Sequence, residues 1–215
     1  MNIVILAGGL SHERDVSLRS GRRIAESLRD LGIPVTVSDV DAKLLGQWEI
    51  EAPSVVVPLL HGTNGEDGSL RDVLEALHVA YVGSRPDACR IAFDKPIAKA
   101  VAHAAGIRTP KSVALPHSTF RELGADAVIK AVAEKVGLPA IVKPTKSGSS
   151  LGATVVRDIR ELPAALVASF AYGDVALVEH RQVQVAQLAV RLAGVVEDAA
   201  TADLPAAATQ QDHRQ

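Results

Sequence analysis

One cysteine in 215 residues, Cys89, leaves no partner for an internal disulfide and too few thiolates for a cysteine-rich metal site, which fits a reducing compartment. Aromatic residues are nearly as scarce. One Trp, two Tyr and three Phe offer little surface on which single-stranded nucleic acid could stack. Charge of one sign is also missing: 23 basic against 25 acidic residues leave a formal net charge of -2, too small to draw the molecule to nucleic acid or an anionic membrane. Long hydrophobic runs are absent too. Ile3 to Ala7 has no basic stretch before it and stops at Gly8-Gly9, so it reads as neither a signal peptide nor a membrane span. A cytoplasmic protein that binds neither nucleic acid nor membrane is the expectation. Apolar residues, by contrast, make up 47% of the chain, enough to bury the core of one large domain or two small ones.

Along the chain, apolar strand-like runs alternate with helical periods. Ile3 to Ala7, Val35 to Val40 and Val55 to Leu60 read as buried strands, with Tyr81-Val82-Gly83 closing a short fourth. Between them, Ser17 to Leu31 reads as a helix with Ile24, Leu28 and Leu31 on one face and Gly32 as its stop. Leu44 to Glu51 is ambiguous and carries Trp48, read as a packing residue. Ser69 to Leu77 reads as a helix with Leu70, Val73, Leu74 and Leu77 inward. This alternation implies a parallel sheet with helices on both faces, in a first domain ending near residue 85.

The next segment is of α+β type. Asp87 to Ala105 is helical with a break near Phe93, where Asp94 can cap and Pro96 is tolerable in a first turn, and it places Lys95 and Lys99 on one face. Strands follow at Ser112 to Leu115, Ala140 to Lys143, Ala153 to Arg157 and Val175 to Glu179, with helices at about 125–136 and 159–170. Residues 193–215 have few large apolar residues and no sustained period, so a frayed or irregular tail is expected there.

Three loops at strand ends carry the chemistry. Ile141 to Gly152 delivers Lys143 from an apolar strand into a turn in which Gly148 and Gly152 allow close backbone approach, Ser149 and Ser150 supply hydroxyls, and Lys146 adds charge. By itself this stretch suits a hairpin turn as well as a phosphate cradle. The other loops are Gly8 to Ser17 and His61 to Gly68. A plain strand-to-helix connection needs neither their length nor their clustered His, Glu and Asp, and ligands of open α/β sheets gather at the carboxyl ends of strands.

The combination of His12-Glu13-Arg14-Asp15-Val16-Ser17-Leu18-Arg19-Ser20-Gly21, His61-Gly62-Thr63-Asn64-Gly65-Glu66-Asp67-Gly68, Asp94-Lys95, and Lys143-Pro144 followed by Gly148-Ser149-Ser150-Leu151-Gly152 resembles the D-alanine:D-alanine ligases of the ATP-grasp superfamily. The motifs stand in the family's order over residues 1 to about 180. What the resemblance implies is an α/β fold: a parallel-sheet pre-ATP-grasp domain over 1–85, a small α+β ATP-grasp subdomain over 86–192, and the tail from 193. It implies ATP and D-alanine as ligands and a peptidoglycan-building activity, in which ATP phosphorylates one D-alanine carboxylate and the amine of a second attacks the acyl phosphate. Homodimers through the first domain are common in the family.

Residue by residue, Lys95 and Lys143 match the family's phosphate lysines, with Ser147, Gly148, Ser150 and Gly152 in the loop over the phosphates. Each could instead be a solvated surface lysine or a plain turn residue. Glu13 matches the carboxylate that holds the first substrate's ammonium, although a helix-start acid is favoured there by the macrodipole alone. Ser149 matches the serine bonded to that glutamate, and His61 the histidine beside the amino acid, where titration near neutral pH would be useful. Glu66 and Asp67 read as braces of their loop. Glu179 matches a residue near the adenine, whereas the expected ribose-binding glutamate is replaced around Ala186 and Gln187. The family's Mg²⁺ ligands include an asparagine, and none follows Asn64, so no metal ligand is assigned and the chain is expected to lack most of the catalytic domain and to be a weak ligase or inactive. A non-catalytic ATP- or amino-acid-binding module is the alternative. A dinucleotide-binding reading, from Gly8-Gly9 and Asp39, fails on glycine spacing.

Overall fold

The computed structural model describes residues 2–148 and 150–181. Its first half runs β1 (Ile3–Leu6), α1 (Arg14–Asp30), β2 (Val35–Ser38), α2 (Leu44–Ile50), β3 (Val55–Pro58) and α3 (Ser69–Ala76). β1 is central, with β2 and β3 parallel to it on either side. Because side chains alternate along a strand, β1 feeds both faces. Val4 and Leu6 enter a cluster with Leu44 of α2, Val56 of β3 and Leu74 of α3, and Trp48 packs against it. Ile5 and Ala7 instead face Gly21 of α1. Helices therefore cover both sides of the sheet, as the sequence pattern implied.

The inner face of α1 differs from the expected one. The helix starts three residues early and buries Ser17, Gly21 and Ala25, leaving Ile24 40% and Leu31 75% exposed. The reason is proximity: a Cβ on Gly21 would lie 2.5 Å from the Cβ of Ala7, so only small residues fit between helix and strand. In α3 Leu74 is buried as expected, but Val73 and Leu77 are exposed. Tyr81 makes one parallel bridge to Val56 and no fourth strand forms, since the chain turns away at Gly83, whose φ is +126°.

The break near Phe93 separates α4 (Pro86–Phe93) from α5 (Lys95–Ala104), and the Asp94 side chain caps α5 by accepting from the Ile97 N–H at 3.3 Å. Then come β4 (Ser112–Pro116), α6 (His117–Leu123), α7 (Ala125–Val136), β5 (Ala140–Pro144), β6 (Thr154–Val156), a 3₁₀ turn at Ile159–Glu161, α8 (Leu162–Phe170) and β7 (Val175–His180). The strands form an antiparallel sheet in the order β4-β7-β5-β6. One of its faces packs Ala140, Val142, Ala176 and Val178 against Val128 and Val132 of α7 and Leu166 of α8. Lys143 and Glu179 alternate with the buried Val142 and Val178, which turns them to the other face. The tail expected over 193–215, together with Ala186 and Gln187, lies outside the described residues. Among the described residues, no helix is long and apolar enough to cross a membrane.

Candidate functional site

The loop after β1 is fixed before it reaches any ligand. The hydroxyl of Ser17 accepts from the Gly8 N–H at 2.8 Å and donates to the Leu59 carbonyl at 2.7 Å, so one buried side chain ties the end of β1 to the end of β3. Asp39 at the end of β2 accepts from the Gly9 N–H at 2.7 Å and pairs with Arg14 at 2.5 Å. Its carboxyl is lowered below the ordinary range chiefly by the Arg14 hydrogen bond. Asp39 is thus bound up in holding the loop, which removes the dinucleotide reading's ribose-binding acid.

Glu13 stands at the N-cap of α1 and is only 4% exposed. Its Oε1 accepts from the Gly148 N–H at 3.1 Å, which joins the loop after β1 to the loop after β5. The His61 loop completes the same corner. Ser11 Oγ donates to the His61 carbonyl at 2.7 Å, Glu66 Oε2 accepts from the Gly62 N–H at 2.8 Å, and Ser20 Oγ lies 3.3 Å from His61 Nε2. Glu66 braces its loop in this way, as the sequence suggested. Glu13, His61 and Glu66 each bring one polar atom to within 4.8 Å of the others. Two carboxylates and an imidazole at such range make a cluster suited to a cation. A cavity opens beside them, lined by Glu13, Thr63, Asn64, Ser147, Leu151 and Tyr172.

Lys95, first residue of α5, turns its ammonium into the loop after β5, where Nζ donates to the carbonyls of Ser147 at 2.8 Å and Thr145 at 3.3 Å. Burial, and then the nearby charge of Lys143, lower its pKa from the ordinary lysine value. Lys143 on β5 pairs with Glu179 of β7 at 2.7 Å, and Lys99 of α5 holds the other Glu179 oxygen. Burial pushes the Glu179 carboxyl up, but the hydrogen bonds from Lys143 and Lys99 outweigh it and the net shift is downward.

The loop turns sharply after Gly148. Ser150 has φ +58°, Gly152 has φ +67°, and the Ala153 N–H closes a turn on the Ser150 carbonyl at 3.1 Å. Ser149 lies outside the described residues. The remaining sequence candidates fall into two neighbouring groups: Glu13 and Ser147 line the cavity, with His61 and Gly148 next to Glu13, and Lys95, Lys143 and Glu179 are linked by their charges behind the loop. Ser150 and Gly152 form the bend between loop and β6. Sequence reasoning gave no role to Lys99 or Tyr172. The spacing of Lys99 one turn after Lys95 was a usable signal; for Tyr172, in a turn after α8, nothing local pointed to the cavity.

The family model described as D-ala D-ala ligase C-terminus matches residues 101–212. The chain belongs to the D-alanine–D-alanine ligase family. The ligase of Moorella thermoacetica is 38% identical over 172 residues, covering 80% of this chain and 55% of that protein. The ligase of Coprothermobacter proteolyticus is 41% identical over 182 residues, covering 83% and 58%. Among solved structures, the Bacillus anthracis ligase superposes with a TM-score of 0.70 at 29% identity over 85% of this chain and 58% of that one. A second structure of that protein, complexed with ATP, gives 0.67 at 27% identity, covering 85% and 60%. The chain therefore spans somewhat more than half the length of these ligases, with the mixed α/β architecture of the family.

Proposed function

We propose that this chain carries the nucleotide-phosphate site and the first amino-acid site of an ATP-dependent D-alanine–D-alanine ligase. The observation that carries this reading is the hydrogen bond from the Gly148 N–H to Glu13, with Lys95 anchored to the same loop at Ser147. It sets a carboxylate suited to a substrate ammonium beside a loop backed by two lysines suited to phosphates. Phosphoryl transfer asks a protein mainly for fixed cations and exclusion of water, which such an arrangement supplies. In the reaction, a D-alanine carboxylate oxygen takes the terminal phosphoryl group of ATP, releasing ADP. The amine of the second D-alanine then displaces phosphate and gives up a proton as the peptide bond forms.

In this reading Glu13 and His61 hold the first D-alanine, Ser149 orients it, and Lys95, Lys143 and the loop 147–152 grip the phosphates. Glu179, expected near the adenine, would reach the nucleotide from the Lys143 side. Mg²⁺ is implied by the family, but Glu179 does not fit as its ligand, because both of its oxygens take lysine ammonium groups. The Glu13, His61 and Glu66 group includes a nitrogen ligand where Mg²⁺ favours an all-oxygen octahedron. The product would serve peptidoglycan synthesis in the cytoplasm, and a homodimer through residues 1–85 belongs to the same reading, supported by the exposed Ile24 of α1 and Leu31 just after it.

Calorimetric titration tests the reading. The purified chain should bind ATP, and Lys143→Met should weaken binding at least about tenfold, a loss of 1.4 kcal/mol or more. Unchanged affinity in both Lys143→Met and Lys95→Met would refute it. A second reading is a binding module without turnover. ATP and D-alanine binding without D-alanine-dependent phosphate release would support that one.

A further inference from the structure

Lys99 has no part in the reading above, yet its ammonium is held from two sides. Its ammonium donates to the Pro110 carbonyl at 2.8 Å and to Glu179 Oε1, while Glu179 Oε2 takes Lys143 at 2.7 Å. All three side chains are largely withdrawn from solvent, at 17% exposure for Lys99, 13% for Glu179 and 24% for Lys143. We propose that Lys99 is a positioning residue: by taking up one oxygen of Glu179, it keeps the ammonium of Lys143 available to an incoming polyphosphate.

Lys99, Glu179 and Lys143 together carry a formal net charge of +1, so an anion arriving at Lys143 meets a net attraction. Without Lys99, the remaining pair is neutral, and the same anion meets a carboxylate free to follow the Lys143 ammonium. In a partly buried place that difference is weakly screened. The Pro110 carbonyl adds direction. It pins Lys99 to the segment just before β4, and Ser112 of β4 pairs with Glu179 across the sheet. Carboxylate and anchor are therefore set by the same strand edge. Two of the three Lys99 donors are taken by Glu179 and Pro110, so in this scheme Lys99 acts through Glu179 and not on the phosphate itself.

This inference rests on the nucleotide reading, and its test separates the two. Inorganic tripolyphosphate is the first probe, since it has no adenine for Glu179 to contact, and ATP is the second. Wild type, Lys99→Met, Lys99→Arg, Lys143→Met and the double variant Lys99→Met/Glu179→Gln are titrated, with thermal unfolding recorded for each. Lys99→Met should weaken tripolyphosphate binding about tenfold, and Lys99→Arg should stay within about threefold of wild type. The double variant should recover most of the loss, because the unanswered carboxylate is gone. A merely structural lysine would show no such rescue. If Lys99→Met does not fold, Lys99→Gln, which retains a donor for Pro110, takes its place with the same expected loss and rescue. Wild-type affinity in the Lys99 variants while Lys143→Met binds poorly overturns this inference alone, as does a double variant no better than the single one. Failure of the wild type to bind either probe refutes the nucleotide reading instead.

Discussion

Replacing Gly152 with alanine should expose how tightly the bend between the loop and β6 is built. The residue has φ +67°, and an added Cβ would lie 2.7 Å from Tyr172 Cδ2, 3.1 Å from Pro144 Cγ and 3.3 Å from the Ala168 carbonyl oxygen. Two costs add. The left-handed backbone costs a residue with a Cβ about 1 kcal/mol or somewhat more. Forcing a methyl group into an occupied space costs about 1–3 kcal/mol. Gly32 separates them, since its φ is +75° and nothing lies within 4 Å of its Cβ position. Gly32→Ala should therefore lose only the first cost, about 1 kcal/mol, and Gly152→Ala about 2–4 kcal/mol. For a protein of this size each kcal/mol moves the unfolding midpoint by roughly 2–4 °C. Urea unfolding by circular dichroism and calorimetric melting of both variants measure the difference. Equal losses would show that Tyr172, Pro144 and Ala168 yield freely, and would refute the packing argument.

Two further outcomes follow from the fold. Gly21→Val should lower the urea midpoint at unchanged m-value by about 1–3 kcal/mol, because the new side chain meets Ala7 across the closest approach of α1 to the sheet; a neutral result would mean that the helix can move away. The folded pKa of Glu179 lies below its ordinary 4.5, so its ion pairs stabilise the fold above that pH and are lost as pH falls through the lower folded value. The stability gap between wild type and Glu179→Gln, measured by urea unfolding across that range, should therefore narrow with acidification, and a gap that widens would contradict the assigned pairs.

The ends of the strands were legible because each combines an apolar run with an abrupt change to glycine and polar residues. That pattern located the loops after β1, β3 and β5, and those loops do meet. Asp94 was legible as a cap because capping is a local transaction between a side chain and an N–H three residues on. The buried face of α1 was not, since hydrophobic periodicity seeks large residues and this helix approaches the sheet on Ser17, Gly21 and Ala25. α6 escaped because His117 to Leu123 has no apolar period of its own. The pairing of Lys99 with Glu179 brings helix α5 to strand β7 over a sequence separation of 80, and no local signal sets that approach. For the same reason Glu179 was linked in sequence only to the adenine end of a nucleotide, although its carboxylate rests on the two lysines.

The contact between Gly148 and Glu13 bridges 135 positions of chain, yet it amounts to a single N–H and a single oxygen. A splice anywhere between the two residues would therefore join a carboxylate from one protein to a loop from another. A chimaera would inherit a carboxylate set against one loop and a loop shaped around another carboxylate, and its mismatch would fall where the two meet, not at the splice.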